Sequence, residues 1–213
     1  MILHGNKLLE KIGVKRTPNL NAKTLKYFEN QVAKRYEAGE IKGPIHLSSG
    51  NETELLYIFQ YIDKNDWVFS AWRNHYHALL HGIQENELMS KILAGKSMGI
   101  VSKNPKFYSS SIVTGSIPSA LGVSISEKKK NSSRNVWCFI GDMTYETGIF
   151  WEAYKYSQNF NLPLIFVVED NDKSVTSDTK KAWGTKMDLL PNIVHYKYQS
   201  EYPHHGTGNW VNF

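Results

Sequence analysis

The chain has 213 residues, 41% of them hydrophobic and 21% charged, with a net charge of +5. That length suits one domain of ordinary size. The mild, dispersed basicity leaves no nucleic-acid footprint, and no apolar run approaches the roughly 18 residues that span a bilayer. One cysteine, Cys138, lies within an apolar run. A single thiol makes neither a disulfide framework nor a cysteine metal cluster, and it suits a reducing, cytoplasmic compartment.

In chain order, residues 1–45 are expected to be a mainly helical arm. Within it, Thr24 to Glu40 places Leu25, Phe28, Val32 and Tyr36 on one helical face. The segment 41–52 is turn-rich, and a helix follows from Glu52 to about Ile62. Trp67 to Ala71 reads as a short strand, and "NHYHALLHGI" behind it as helical. Another helix runs from Asn86 to Ala94 and ends at Gly95. Residues 95–111 have no periodicity and are expected to be a loop. Ile117 to Lys130 is a helix carrying the small residues Ser119, Ala120, Gly122 and Ser124. Its basic end, Lys128 to Lys130, complements a helix C-terminus and is read as a solvated end. A strand at 135–140, a helix at 147–159 and a strand at 163–168 complete the pattern. Strands alternating with helices imply βαβ units and a parallel sheet, with right-handed crossovers. The prediction is a single α/β domain over 1–213: an open, mostly parallel, doubly wound sheet with helices on both faces.

Two apolar strand patterns each end in a polar oxygen. Gly141-Asp142 follows the first, and Glu169-Asp170-Asn171 follows the second. In open parallel sheets, ligands sit outside the carboxyl ends of the strands. A lone Asp there is ordinarily an N-cap, and a lone Asn a turn residue. Together, one βαβ step apart, they offer hard oxygens to one point, which suits Mg²⁺ completed by a bound phosphate. A helix starting near Glu146 would present free N–H groups to that phosphate.

The stretch from Gly141 to Asn171 resembles the thiamine-diphosphate motif, most closely that of the α subunit of 2-oxoacid dehydrogenase E1 components. It also resembles, less closely, the N-terminal part of transketolases. Gly148, Glu152-Ala153, Leu162-Pro163 and Glu169 stand where that family has them. Upstream, "HLSSGNE" (46–52), "AWRNH" (71–75) and "SIVTGSIPSALG" (111–122) resemble further family segments in the right order, so the likeness spans roughly residues 25–175.

The resemblance implies thiamine diphosphate and Mg²⁺. It assigns the metal to Asp142, Asn171 and the backbone carbonyl of Lys173. It assigns cofactor contacts to Trp72, Arg73, Ser111, Val113, Gly141, Asp142, Met143, Thr144, Asn171 and Lys173, and active-site roles to His46 and His75. His77 and His81 are read as structural. Three departures stand out. Trp72 replaces the family's Tyr, Met143 replaces a Gly, and the chain ends about forty residues after Asn171, where "YPHHGTGNW" (202–210) offers His204 and His205.

The family's activating Glu belongs to a separate pyrimidine-binding domain. The implied working unit is therefore an αβ pair or α₂β₂ heterotetramer, acting on a 2-oxo acid or a ketose, with neither nucleic acid nor membrane as partner. "YETGIFWEA" (145–153) leans toward ketol transfer and the upstream segments toward the dehydrogenases. Two alternatives stay open: a non-catalytic homologue acting as a binding or scaffold protein, and another Mg²⁺–phosphate binder on a doubly wound sheet.

Overall fold

The computed structural model describes residues 3–184 and 188–212. The elements in chain order begin with β1 (Leu3–His4), α1 (Asn6–Ile12), α2 (Ala22–Glu37), α3 (Glu52–Ile58), β2 (Trp67–Ser70) and α4 (His75–His81). Next come α5 (Glu85–Leu93), β3 (Val101–Ser102), β4 (Phe107–Ser109), α6 (Ser116–Lys129), β5 (Val136–Gly141) and α7 (Asp142–Tyr145). The last are α8 (Gly148–Asn159), β6 (Leu164–Asp170), β7 (Lys173–Ser174), β8 (Ser177–Asp178), α9 (Thr179–Trp183) and β9 (Ile193–Lys197).

Seven strands form the main sheet in the order β1-β9-β6-β5-β2-β4-β3, and β7 and β8 form a small hairpin. β9, β6, β5, β2 and β4 run parallel, while β1 and β3 close the edges antiparallel. Counted along the chain, the parallel strands stand in the order 2-1-3-4-5, so the winding reverses between β2 and β5.

Side-chain alternation sorts the sheet into two apolar layers. Val136, Cys138 and Ile140 of β5 pack with Ile117 and Ala120 of α6 and Phe150 and Tyr154 of α8. Trp137 and Phe139 face the other way, into a cluster with Leu25, Phe28 and Val32 of α2, Leu55 and Ile58 of α3, and Tyr76 and Leu79 of α4. Burial on both faces is why the strands read as continuous apolar runs. Each such side chain contributes about 1.5–3 kcal/mol. Burial also pushes the Cys138 thiol up to about 12, which suits an inert packing residue.

The predicted helices and the strands β2, β5 and β6 are present. α2 starts at the N-cap Asn21, whose side chain accepts from the Thr24 backbone N–H at 3.0 Å. Its Leu25, Phe28 and Val32 are buried in the same core as the sheet, and β1 adds to the sheet through β9. Two expectations are corrected. The stretch 95–111 is not wholly a loop, because Phe107–Ser109 pairs in parallel with Val68–Ser70; three residues are too few to display a period. The helix after Glu52 stops at Ile58, and residues 59–62 continue as turns. No helix among the described residues is long and apolar enough to cross a membrane.

Candidate functional site

β2, β5, β6 and β9 all end at one edge of the sheet, and the residues that follow them surround a cavity. Its lining takes Ala71, Trp72 and Arg73 from behind β2, Gly141 to Thr144 from the β5–α7 junction, and Glu169, Asn171 and Lys173 from the end of β6. Tyr198 behind β9 and His204 close it. The cavity is small, about 60 Å³. It adjoins a cleft of about 600 Å³ that shares Arg73, Asn171, Lys173, Tyr198 and His204. The cavity lies at the carboxyl ends of β2 and β5, where the winding reverses, the place at which such sheets bind ligands.

Asp142 is the first residue of the single-turn α7 and is only 4% exposed. Its carboxylate accepts from the Thr179 hydroxyl on α9. Asn171 follows β6, and its side-chain oxygen accepts from the Lys173 backbone N–H at 3.2 Å. That turn needs a left-handed residue, supplied by Asp172 at φ 61°. Arg73 donates through Nε to the Leu47 carbonyl at 3.0 Å and through Nη2 to the His204 carbonyl at 3.1 Å. The guanidinium is thereby fixed at the cavity wall. Burial pushes the Tyr198 phenol up to about 12, with Arg73 acting against that shift.

His46 stands one layer behind the wall. Its Nδ1 lies 2.7 Å from the His204 carbonyl, and its ring centroid is 4.8 Å from that of His204 and 5.7 Å from that of Trp72. Burial, with the nearby His204 and Arg73, holds its imidazole down to about 4. The same two causes, burial first and then Arg73, lower His204.

Of the residues singled out from sequence, Trp72, Arg73, Gly141, Asp142, Met143, Thr144, Asn171 and Lys173 converge on this cavity. Four do not line it. His46 stands behind its wall, against His204. His75 is wholly buried between the Glu29 carboxylate, at 3.0 and 3.1 Å, and the Ser97 hydroxyl, at 2.9 Å. Ser111 and Val113 are exposed on the segment between β4 and α6. The helix expected from Glu146 begins at Gly148, and its N-cap Thr147 already accepts from the Phe150 N–H at 3.4 Å. The first turn beside the cavity is α7. The Met143 thioether accepts from the Trp183 indole N–H at 2.8 Å.

Sequence reasoning passed over Glu169 as a site residue. Its Oε1 accepts from His77 Nε2 and Asn51 Nδ2, both at 3.2 Å, and from the Tyr196 hydroxyl. The other ring nitrogen of His77 lies 2.8 Å from the Ser70 hydroxyl. The available signal was a carboxylate ending an otherwise apolar strand. Tyr198 gave none, because the return of residues 198–206 across the site has no period; of the two histidines offered there from sequence, His204 lines the cavity and His205 does not. That return is nevertheless fixed: the Glu201 N–H donates to Ser49 Oγ at 2.8 Å, and the Gly206 N–H to the Ile45 carbonyl at 2.9 Å.

No group of three or more His, Cys, Asp and Glu side chains among the described residues could hold a metal. A cation here would therefore be held by the Asp142 carboxylate, amide or carbonyl oxygens, and oxygens of a bound ligand. That is a set of hard donors.

A family model described as dehydrogenase E1 component matches residues 21–188. Among curated proteins, the pyruvate dehydrogenase E1 component subunit alpha of Porphyra purpurea is 30% identical over 165 residues, 70% of this chain and 48% of that protein. The chloroplastic subunit alpha-3 of the same component from Arabidopsis thaliana is 31% identical, over 68% of this chain and 37% of that protein. The alpha subunit of acetoin:2,6-dichlorophenolindophenol oxidoreductase from Cupriavidus necator is 24% identical, over 78% and 52%. The chain thus spans about half the length of the curated relatives it matches, or less.

Proposed function

The chain belongs to the dehydrogenase E1 component family, and from that premise we propose that it is the diphosphate-binding, alpha-like subunit of a two-subunit, thiamine-diphosphate-dependent enzyme acting on a 2-oxo acid. The observation that carries this reading is the meeting of Asp142 and Asn171, at the ends of neighbouring parallel strands, with Arg73 in one cavity at the reversal of winding. When bound, thiamine diphosphate supplies the nucleophile and electron sink for breaking a bond beside a carbonyl.

The chain's own residues bind and orient. The carboxylate of Asp142, the amide oxygen of Asn171 and the backbone carbonyl of Lys173 hold Mg²⁺. Arg73, fixed by two carbonyls, turns its remaining N–H groups to a phosphate oxygen. His46, neutral near pH 7, keeps Trp72 and His204 in place through its ring contacts. The activating Glu and the rest of the substrate site come from a separate pyrimidine-binding subunit. The word "alpha" in the relatives' names supports such a partner.

Thermal-shift titration with thiamine diphosphate and Mg²⁺ tests the reading. A ligand at 100 times its Kd stabilises the native state by about 2.7 kcal/mol. The expected result is a raised Tm in the wild type and none in Asp142→Ala; an equal shift in both would refute the site. One observation favours a second reading, a non-catalytic homologue: Met143, where the family has Gly, is latched to Trp183 beside Asp142. On that reading the wild type does not shift, and Met143→Gly restores the shift.

A further inference from the structure

Glu169 presents a chemical problem that the proposed site does not answer. It lines the cavity, its side chain is 12% exposed, and in the strand register it sits directly opposite Gly141, the neighbour of Asp142. A carboxylate at that place repels an anionic ligand unless a cation or its waters intervene. It is also held with care. Its described hydrogen bonds, from His77, Asn51 and Tyr196, all end on Oε1. Oε2 takes part in none of them, and Glu169 lines the cavity. No Cβ projects from Gly141 across the way, and one built there would meet nothing within 4 Å.

Resting on the cation-dependent reading above, we propose that Glu169 is a positioning residue for the cation: Oε2 accepts hydrogen bonds from the waters that a cation at Asp142 and Asn171 retains. Mg²⁺ and similar cations give up their waters reluctantly, and those waters are strong donors. An acceptor fixed by three donors orients them without becoming a ligand itself. His77, packed at 4.3 Å from the Phe139 ring and wired to Ser70, is the piece that sets the carboxylate's angle from α4.

The test uses Mn²⁺ as probe, with thiamine diphosphate present, on the wild type, Glu169→Gln, His77→Phe and Asp142→Ala. Electron paramagnetic resonance reads Mn²⁺ affinity, and water-proton relaxation reads the exchange of metal-bound waters. Gln keeps an oxygen for the three donors but puts an N–H₂ where Oε2 was. Glu169→Gln is expected to weaken Mn²⁺ binding by about 10–100-fold, the usual loss for a partner behind the ligands, and to change the relaxation of the complex that remains. His77→Phe keeps the aromatic packing and is expected to change the relaxation in the same direction by less. It carries the test if Glu169→Gln fails to fold. Wild-type affinity and relaxation in both variants, with Asp142→Ala inactive in binding, would overturn this role for Glu169 and leave the site standing. Equal Mn²⁺ binding by wild type and Asp142→Ala would overturn both.

Discussion

The junctions behind β5 and β6 and the segment behind β4 both follow parallel strands at the same edge of the sheet, and both carry residues that resemble family cofactor contacts. They end differently. Asp142, Met143, Thr144, Asn171 and Lys173 line the cavity, whereas Ser111 and Val113 are exposed beside it. The difference lies in what anchors each turn. Asp142 is tied to Thr179, and Asn171 closes its own turn onto Lys173. Residues 111–113 are held, among the described residues, by local bonds alone, the Ile112 N–H to Ser110 Oγ at 3.1 Å and the Gly115 N–H to the Ile112 carbonyl at 2.9 Å. A motif match places a residue near a ligand; the bonds around it decide whether it is built into the wall.

The largest effect that would break this contrast is expected at Gly50. Its φ is +81°, and a Cβ there would meet the Gln199 carbonyl at 2.0 Å. Gly50→Ala combines left-handed strain of about 1–2 kcal/mol with overlap that forces the backbone apart, at about 1–3 kcal/mol. Denaturant unfolding should read a loss of that combined size. Hydrogen exchange should quicken at residues 198–206, which carry Tyr198 and His204 into the site.

Acid gives a smaller effect. The folded-state pKa of His46 is depressed to about 4, against about 6.5 unfolded. Between those values the unfolded chain binds the extra proton, so stability rises with pH there and is lost as pH falls from about 6.5 to 4. Allowing for partial solvent screening, the loss is about 1–2 kcal/mol. His46→Gln should flatten that part of a Tm-against-pH curve; an unchanged slope would show that His46 does not titrate as its surroundings dictate.

The smallest effect sharpens the contrast from the other side. Ser111→Ala and Val113→Ala should leave thiamine diphosphate affinity within about threefold, as exposed substitutions stay within about 0.5 kcal/mol. A tenfold loss in either would mean that the segment behind β4 closes onto the ligand.

Much of the fold was legible because burial on both faces writes long apolar runs. Val136 to Ile140 and Leu164 to Val168 are such runs, and the amphipathic stripe of α2 is equally plain. β4 was missed because a three-residue strand between polar flanks has no period, and its place comes from pairing with β2. The oxygens of Asp142 and Asn171 were legible because each interrupts a pattern. The Glu29–His75 and Glu169–His77 pairs were not, because their partners are 46 and 92 residues apart and meet only across packed helices and strands. His75 illustrates the consequence: its type and motif suggested a site residue, while its two bonds make it a buried tie.

The central claim is that the carboxyl ends of β5 and β6 clamp one cation together with a diphosphate. Crystals grown with Mn²⁺ and thiamine diphosphate, measured for anomalous scattering, test it most directly. The account predicts one strong peak within coordination distance of an Asp142 carboxylate oxygen and the Asn171 side-chain oxygen, with diphosphate density reaching toward Arg73. Ordered thiamine diphosphate with no peak there, or a peak held by other residues, would contradict it.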